Sequence, residues 1–180
     1  MRRSVKPWQV FTLGFWLMAV PSSLGKEFLT PDEIFKIQEA QEVEKRIKIY
    51  MDAAALRLKT AEERLQGKES VAGDPLEFFT VQEMLDGYYR IIRSVMFNLD
   101  EAAERPSTDR GKLNKALKNL KDGTEKATKD LTVIKKIAEE KKDEQVWNLT
   151  NQGLEITESA REGAETGLAR FPVKAKSKKH

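Results

Sequence analysis

Cysteine is missing from the 180 residues, and histidine occurs once, as the terminal His180. These two absences remove much of the reactive chemistry available to a small protein. Without cysteine there is no disulfide framework, no Cys-His nucleophile and no covalent haem attachment through Cys-x-x-Cys-His. Without an internal histidine there is no Ser-His-Asp arrangement, and no Glu-x-x-His pair of the kind that helical di-iron sites require. The chain also lacks the alternating acidic ligands and central glycine of an EF-hand. Gly163 and Gly167 are four apart, but they lie within a helical pattern, without the preceding strand that a phosphate-cradling loop needs. The carboxylate pairs Glu62-Glu63 and Glu139-Glu140 sit among lysines and arginines and read as solvated helix faces. No cofactor or metal is expected.

Long apolar runs are scarce too. Val10 to Val20 is apolar apart from Thr12, follows Arg2, Arg3 and Lys6, and meets Pro21-Ser22-Ser23 well before the roughly 20 residues that a membrane-spanning helix needs. Ser23 and Gly25 put small side chains three and one residues before Lys26. The pattern predicts a signal peptide over 1–25, removed on export, and no stable membrane anchor after cleavage. Lipidation at the cut is excluded with cysteine. The leader holds three of the 32 basic residues and none of the 29 acidic ones, so the remainder is formally neutral despite the +3 of the whole chain. An exported chain without disulfides fits a bacterial periplasmic or extracellular protein.

What remains is helical periodicity. Thr30-Pro31-Asp32-Glu33 is a capping box with proline at the first helical position. The stripe Ile37, Ala40, Val43, Ile47, Tyr50, Ala54, Leu58, Ala61, Leu65 predicts one helix from there to Gly67, about 50 Å long. Asp74-Pro75-Leu76-Glu77 signals a second start, with Thr80 and Glu83 as a competing capping box one or two turns later. The stripe from Val81 to Ala102 carries that helix to about Glu104. Arg105 to Asp109 is a turn by composition, and a third stripe runs from Leu113 to Ala138. The next apolar series, Val146, Leu149, Gly153, Ile156, Ala160, Gly163, Gly167, is out of phase with it. That shift, with Lys141-Lys142 before Asp143-Glu144, places a turn near Asp143, one continuous kinked helix being the alternative. Phe171-Pro172 ends the last helix.

The expected fold is all-α: an antiparallel up-down-up-down four-helix bundle with long helices over 26–171, with shallow, coiled-coil-like packing, and a flexible basic tail over 172–180. Gly153, Ala160, Gly163 and Gly167 fall on the inward stripe of the last helix, where each glycine costs about 1 kcal/mol of helix propensity. They mark either close packing against a large neighbour or a groove for a ligand or partner helix; Phe79 and Tyr89, from the aromatic doublets of the second helix, are further candidates, either packed in the core or forming a partner-binding surface. Four tail lysines are too few for a nucleic-acid surface, and without them the folded segment is net acidic. The functional expectation, reached by elimination, is an exported non-enzymatic protein working by contact with an envelope protein or with a second copy of itself, as an adaptor, structural element or holdase-like factor. The alternatives are a small-ligand or metal-sensing helical module and, below it, an enzyme relying on Glu, Lys and Tyr alone.

Overall fold

The structure, a computed structural model, describes residues 27–172. The signal peptide expected over 1–25 and the tail lysines lie outside them. The described residues form five helices and no strand, an all-helical, bundle-like fold: α1 Pro31–Glu39, α2 Val43–Leu65, α3 Val81–Glu104, α4 Arg110–Lys141 and α5 Glu144–Arg170.

Side-chain chemistry sets most of the boundaries. Thr30 completes its capping box with Glu33, and Thr80 does the same with Glu83. The second of these wins over the Asp74 signal, so α3 begins at Val81. Residues 74–79 instead form a turn, in which Arg64 of α2 donates to the carbonyls of Leu76, Glu77 and Phe79 while Leu76 is fully buried. Asp109 caps α4 by accepting from the amides of Gly111 and Lys112. The α4–α5 turn falls at Lys142, in the left-handed region at φ 55°, and Asp143, which caps α5.

Two expectations fail here. The first helix is not continuous: Ala40 adopts an extended conformation at ψ 93°, and the guanidinium of Arg46 takes its carbonyl at 3.0 and 3.2 Å. A straight helix would hold Glu33 and Arg57 about 36 Å apart at 1.5 Å per residue. Their side chains meet at 2.8 Å because α1 folds back along α2. The α5 stripe is also shifted. The buried residues are Val146, Thr150, Gly153, Thr157, Ala160 and Ala164, so the threonines replace Leu149 and Ile156, and Ala164 replaces Gly163. Each threonine hydroxyl donates to the carbonyl four residues earlier, which satisfies the polar group within its own helix and lets the methyl pack.

Named contacts give the packing. α2 and α3 run antiparallel, with Arg46 beside Asn98 and Arg57 beside Gly87. α4 and α5 form a second antiparallel pair, with Leu131 against Gly153 and Leu117 against Gly167. Between the pairs, Glu42 meets Lys112 at 2.7 Å and Met51 lies over Gly123, so α2 and α4 point the same way. α3 packs on α5 but touches α4 only slightly, and α2 and α5 do not meet. Helices joined by a short link are therefore not always neighbours: the link between α3 and α4 crosses a diagonal. The α3 and α4 stripes converge on the centre, where Leu85, Ile92, Val95, Leu113, Leu131 and Ile134 are buried.

Candidate functional site

The largest fully buried side chain is a charged one, Arg57. It lies on the buried face of α2 among Ala53, Ala54, Leu58 and Ala61, whose small members leave it room. Across from it, a Cβ on Gly87 would stand 3.1 Å from Nε, so α3 supplies space as well. A buried guanidinium requires its donors to be used. All five are: Nε and one terminal nitrogen donate to the carbonyl of Phe28, the two terminal nitrogens grip the two Glu33 oxygens at 2.9 and 2.8 Å, and the fifth N–H reaches the Ala53 carbonyl at 2.8 Å.

Glu33 is thereby shared between two tasks, accepting from Arg57 and from the backbone N–H of Thr30. Burial pushes its carboxyl pKa up, but the hydrogen bonds from Arg57 and Thr30 and the guanidinium charge outweigh that and hold it below the ordinary 4.5. The clasp fixes the arm of residues 28–39 against α2 and α3.

Fixing the Phe28 carbonyl also fixes its ring. The Arg90 guanidinium of α3 lies 4.5 Å from the ring centroid, in stacking range. Ring and guanidinium form one end of a surface depression of 380 Å³, whose other walls include Tyr50 of α2 and Arg93 and Phe97 of α3. Phe97 is 69 % exposed. Arg93 rests over the ring of Tyr89 at 5.8 Å. Burial pushes the Tyr50 hydroxyl pKa up, partly offset by the charge of Arg46, so it stays protonated and able to donate at neutral pH. No carboxylate lines the depression.

The six residues singled out from sequence are not brought together. Gly153 and Ala160 are in the core, where a Cβ on Gly153 would meet Leu131 at 3.1 Å and Tyr88 at 3.7 Å. Gly167 receives Leu117, at 2.9 Å from a Cβ position. Gly163 faces open space with nothing within 4 Å, off the inward stripe that the sequence assigned it. Half-buried Phe79 lies at the Arg64 turn, and Tyr89 lies on the α3 face beside Arg93. The aromatic that meets Gly153 is Tyr88. Its hydroxyl lies 2.6 Å from the Thr157 hydroxyl; Thr157 gives its only proton to the Gly153 carbonyl, so Tyr88 is the donor. Burial holds the Tyr88 pKa far above its ordinary 10.0, although the Thr157 bond acts in the opposite sense.

Sequence reasoning missed Arg57, Arg93 and Phe97. A signal for Arg57 was present: it is adjacent to a stripe residue and flanked by alanines on one helical face. Among the described residues no group of three or more acidic or histidine side chains is placed to hold a metal ion, and no helix is long and apolar enough to cross a membrane. No family model, curated protein or solved structure matches the chain.

Proposed function

We propose that the protein is exported with loss of residues 1–25 and works without catalysis, by protein-protein contact in the cell envelope, in the periplasm or outside the cell. In this reading α2 to α5 act as an up-down-up-down four-helix scaffold, and the outward face of α3 is the contact surface. The observation that carries it is the depression beside Phe97. Exposed aromatic rings next to arginines are the residue types that dominate protein interfaces, and here a buried clasp holds one of those rings in place. Such a surface provides binding area and orientation but no nucleophile or proton-transfer pair.

The glycine-lined side of α5, which motivated a small-ligand alternative, is filled by Leu117 and Leu131 at Gly167 and Gly153. The test is recovery of interacting protein with the tagged full chain from envelope extract, compared between the wild type, Phe97→Ala and the exposed control Lys118→Ala. Recovery that falls for Phe97→Ala alone is expected. Equal recovery with all three would remove the α3 face from the account.

A further inference from the structure

We infer that the α3 depression takes an acidic peptide segment of the partner, one that places a carboxylate beside an apolar side chain. The inference rests on the contact reading above and adds the chemistry of the partner.

Charge is the first argument. The folded segment is net acidic, yet the walls of this depression bring two guanidiniums and no carboxylate. Arg93 has no carboxylate partner among the described residues; its contact is the Tyr89 ring. Arg90 has Asp86 only at 3.7 Å, beyond hydrogen-bond reach, and otherwise stacks on Phe28. Neither guanidinium donates a hydrogen bond among the described residues, so its N–H groups are open to a carboxylate in a two-bond fork.

Size and apolarity are the second. Phe28, Tyr50 and Phe97 supply three rings within 380 Å³, room for about one large side chain with its neighbour rather than for a folded domain. Rings and guanidiniums line the same depression, so an incoming segment meets both. Its recognition unit is therefore an Asp or Glu next to Phe, Leu or a similar residue. An anionic lipid surface would also meet the charges, but the three rings beside the guanidiniums favour a segment that brings an apolar side chain together with its carboxylate.

The experiment uses three probes on the purified full chain: a fluorescent decapeptide of Asp, Glu and Phe, the same peptide with Lys replacing the acids, and vesicles containing 30 mol % anionic phospholipid (about one lipid in three, enough for a strong surface potential). Expected is saturable binding of the acidic peptide, at least tenfold tighter than the lysine peptide, weakened about tenfold by Arg93→Glu and by Phe97→Ala, and weakened by added salt. Circular dichroism of the two variants checks that these exposed positions leave the fold intact. Equal binding of both peptides, or binding indifferent to Arg93→Glu, overturns the acidic segment. Vesicle binding that depends on Arg90 and Arg93, without peptide binding, assigns the face to lipid and overturns it as well. A dimer seen by light scattering and lost in Phe97→Ala puts a second copy there instead. If the peptide fails while Phe97→Ala still abolishes partner recovery from extract, the acidic chemistry falls and the contact reading stands.

Discussion

Replacing Arg57 by methionine probes the clasp while nearly preserving the volume of the aliphatic stem. Five hydrogen bonds are lost, one of them to the helix's own carbonyl at Ala53 and four to the arm. The Glu33 carboxylate loses its cation but keeps the Thr30 amide, and its side chain is 13 % exposed, so it has a short route to water. Breaking a buried pair by removing one partner costs about 3 to 5 kcal/mol; rehydration of Glu33 places this case at the low end, about 3 kcal/mol. Adding Glu33→Gln removes the stranded charge while keeping an oxygen for the capping box, and the double variant should recover about 1 kcal/mol relative to Arg57→Met. Urea denaturation gives the stabilities, and hydrogen exchange shows where the loss falls: residues 28–39 should lose protection while α4 and α5 keep theirs. A change below about 0.5 kcal/mol with unaltered exchange in the arm would refute the reasoning, since surface substitutions have effects of that size.

Four further outcomes are expected. In acid the clasp should loosen. Glu33 has a lowered folded pKa, so its contribution is fully present above the ordinary 4.5 and is lost as pH falls through the lower folded value; exchange in the arm should rise over that range, and Glu33→Gln should remove that dependence. Thr157→Val strands the Tyr88 hydroxyl in the core and should cost about 1 to 3 kcal/mol, whereas Tyr88→Phe with Thr157→Val should come close to neutral in a double-mutant cycle. Gly163→Ala should stabilise by about 1 kcal/mol through helix propensity, while Gly153→Ala gains less or loses because Leu131 must yield; equal thermal shifts would show that the α5 register is wrong. Leu85→Asp should unfold the protein, since burying an unpaired carboxylate costs several kcal/mol, and exposed Lys118→Asp should leave the circular dichroism melt nearly unchanged.

Periodicity made much of this fold legible. Every residue of the predicted α4 stripe, Leu113 to Ala138, is buried, as is every α3 stripe residue from Leu85 to Ala102. The caps at Thr30 and Asp143 are equally local, because a side chain and an amide three residues away decide them. What escaped depends on partners distant in sequence. Ala40-Gln41-Glu42 are good helix formers, and only the fold-back of α1 onto Arg57 gives the break its purpose. Thr150 and Thr157 read as polar until their hydroxyls are seen to be satisfied within the helix, which is why the predicted α5 stripe has Leu149 and Ile156 in their place while Val146, Gly153 and Ala160 are buried as expected. Arg57 reads as surface because a charged residue is rarely buried without a full set of partners, and four of its five hydrogen bonds go to the arm, 24 and 29 residues away in sequence. The depression beside Phe97 escaped for a similar reason. Phe28 and Phe97 are 69 positions apart in sequence, and only the arm brings the first beside α3.

The central claim is that α3 presents a contact surface held in shape by the Arg57 clasp, and in-cell photocrosslinking tests it directly. A photoreactive phenylalanine analogue is placed at Phe97 or at Lys118 in the full chain, each with and without Arg57→Met. The account predicts one discrete crosslinked species from position 97, absent from position 118 and reduced severalfold by Arg57→Met in protein that remains folded. Equal crosslinking from both positions, or a position-97 product indifferent to Arg57→Met, would contradict it.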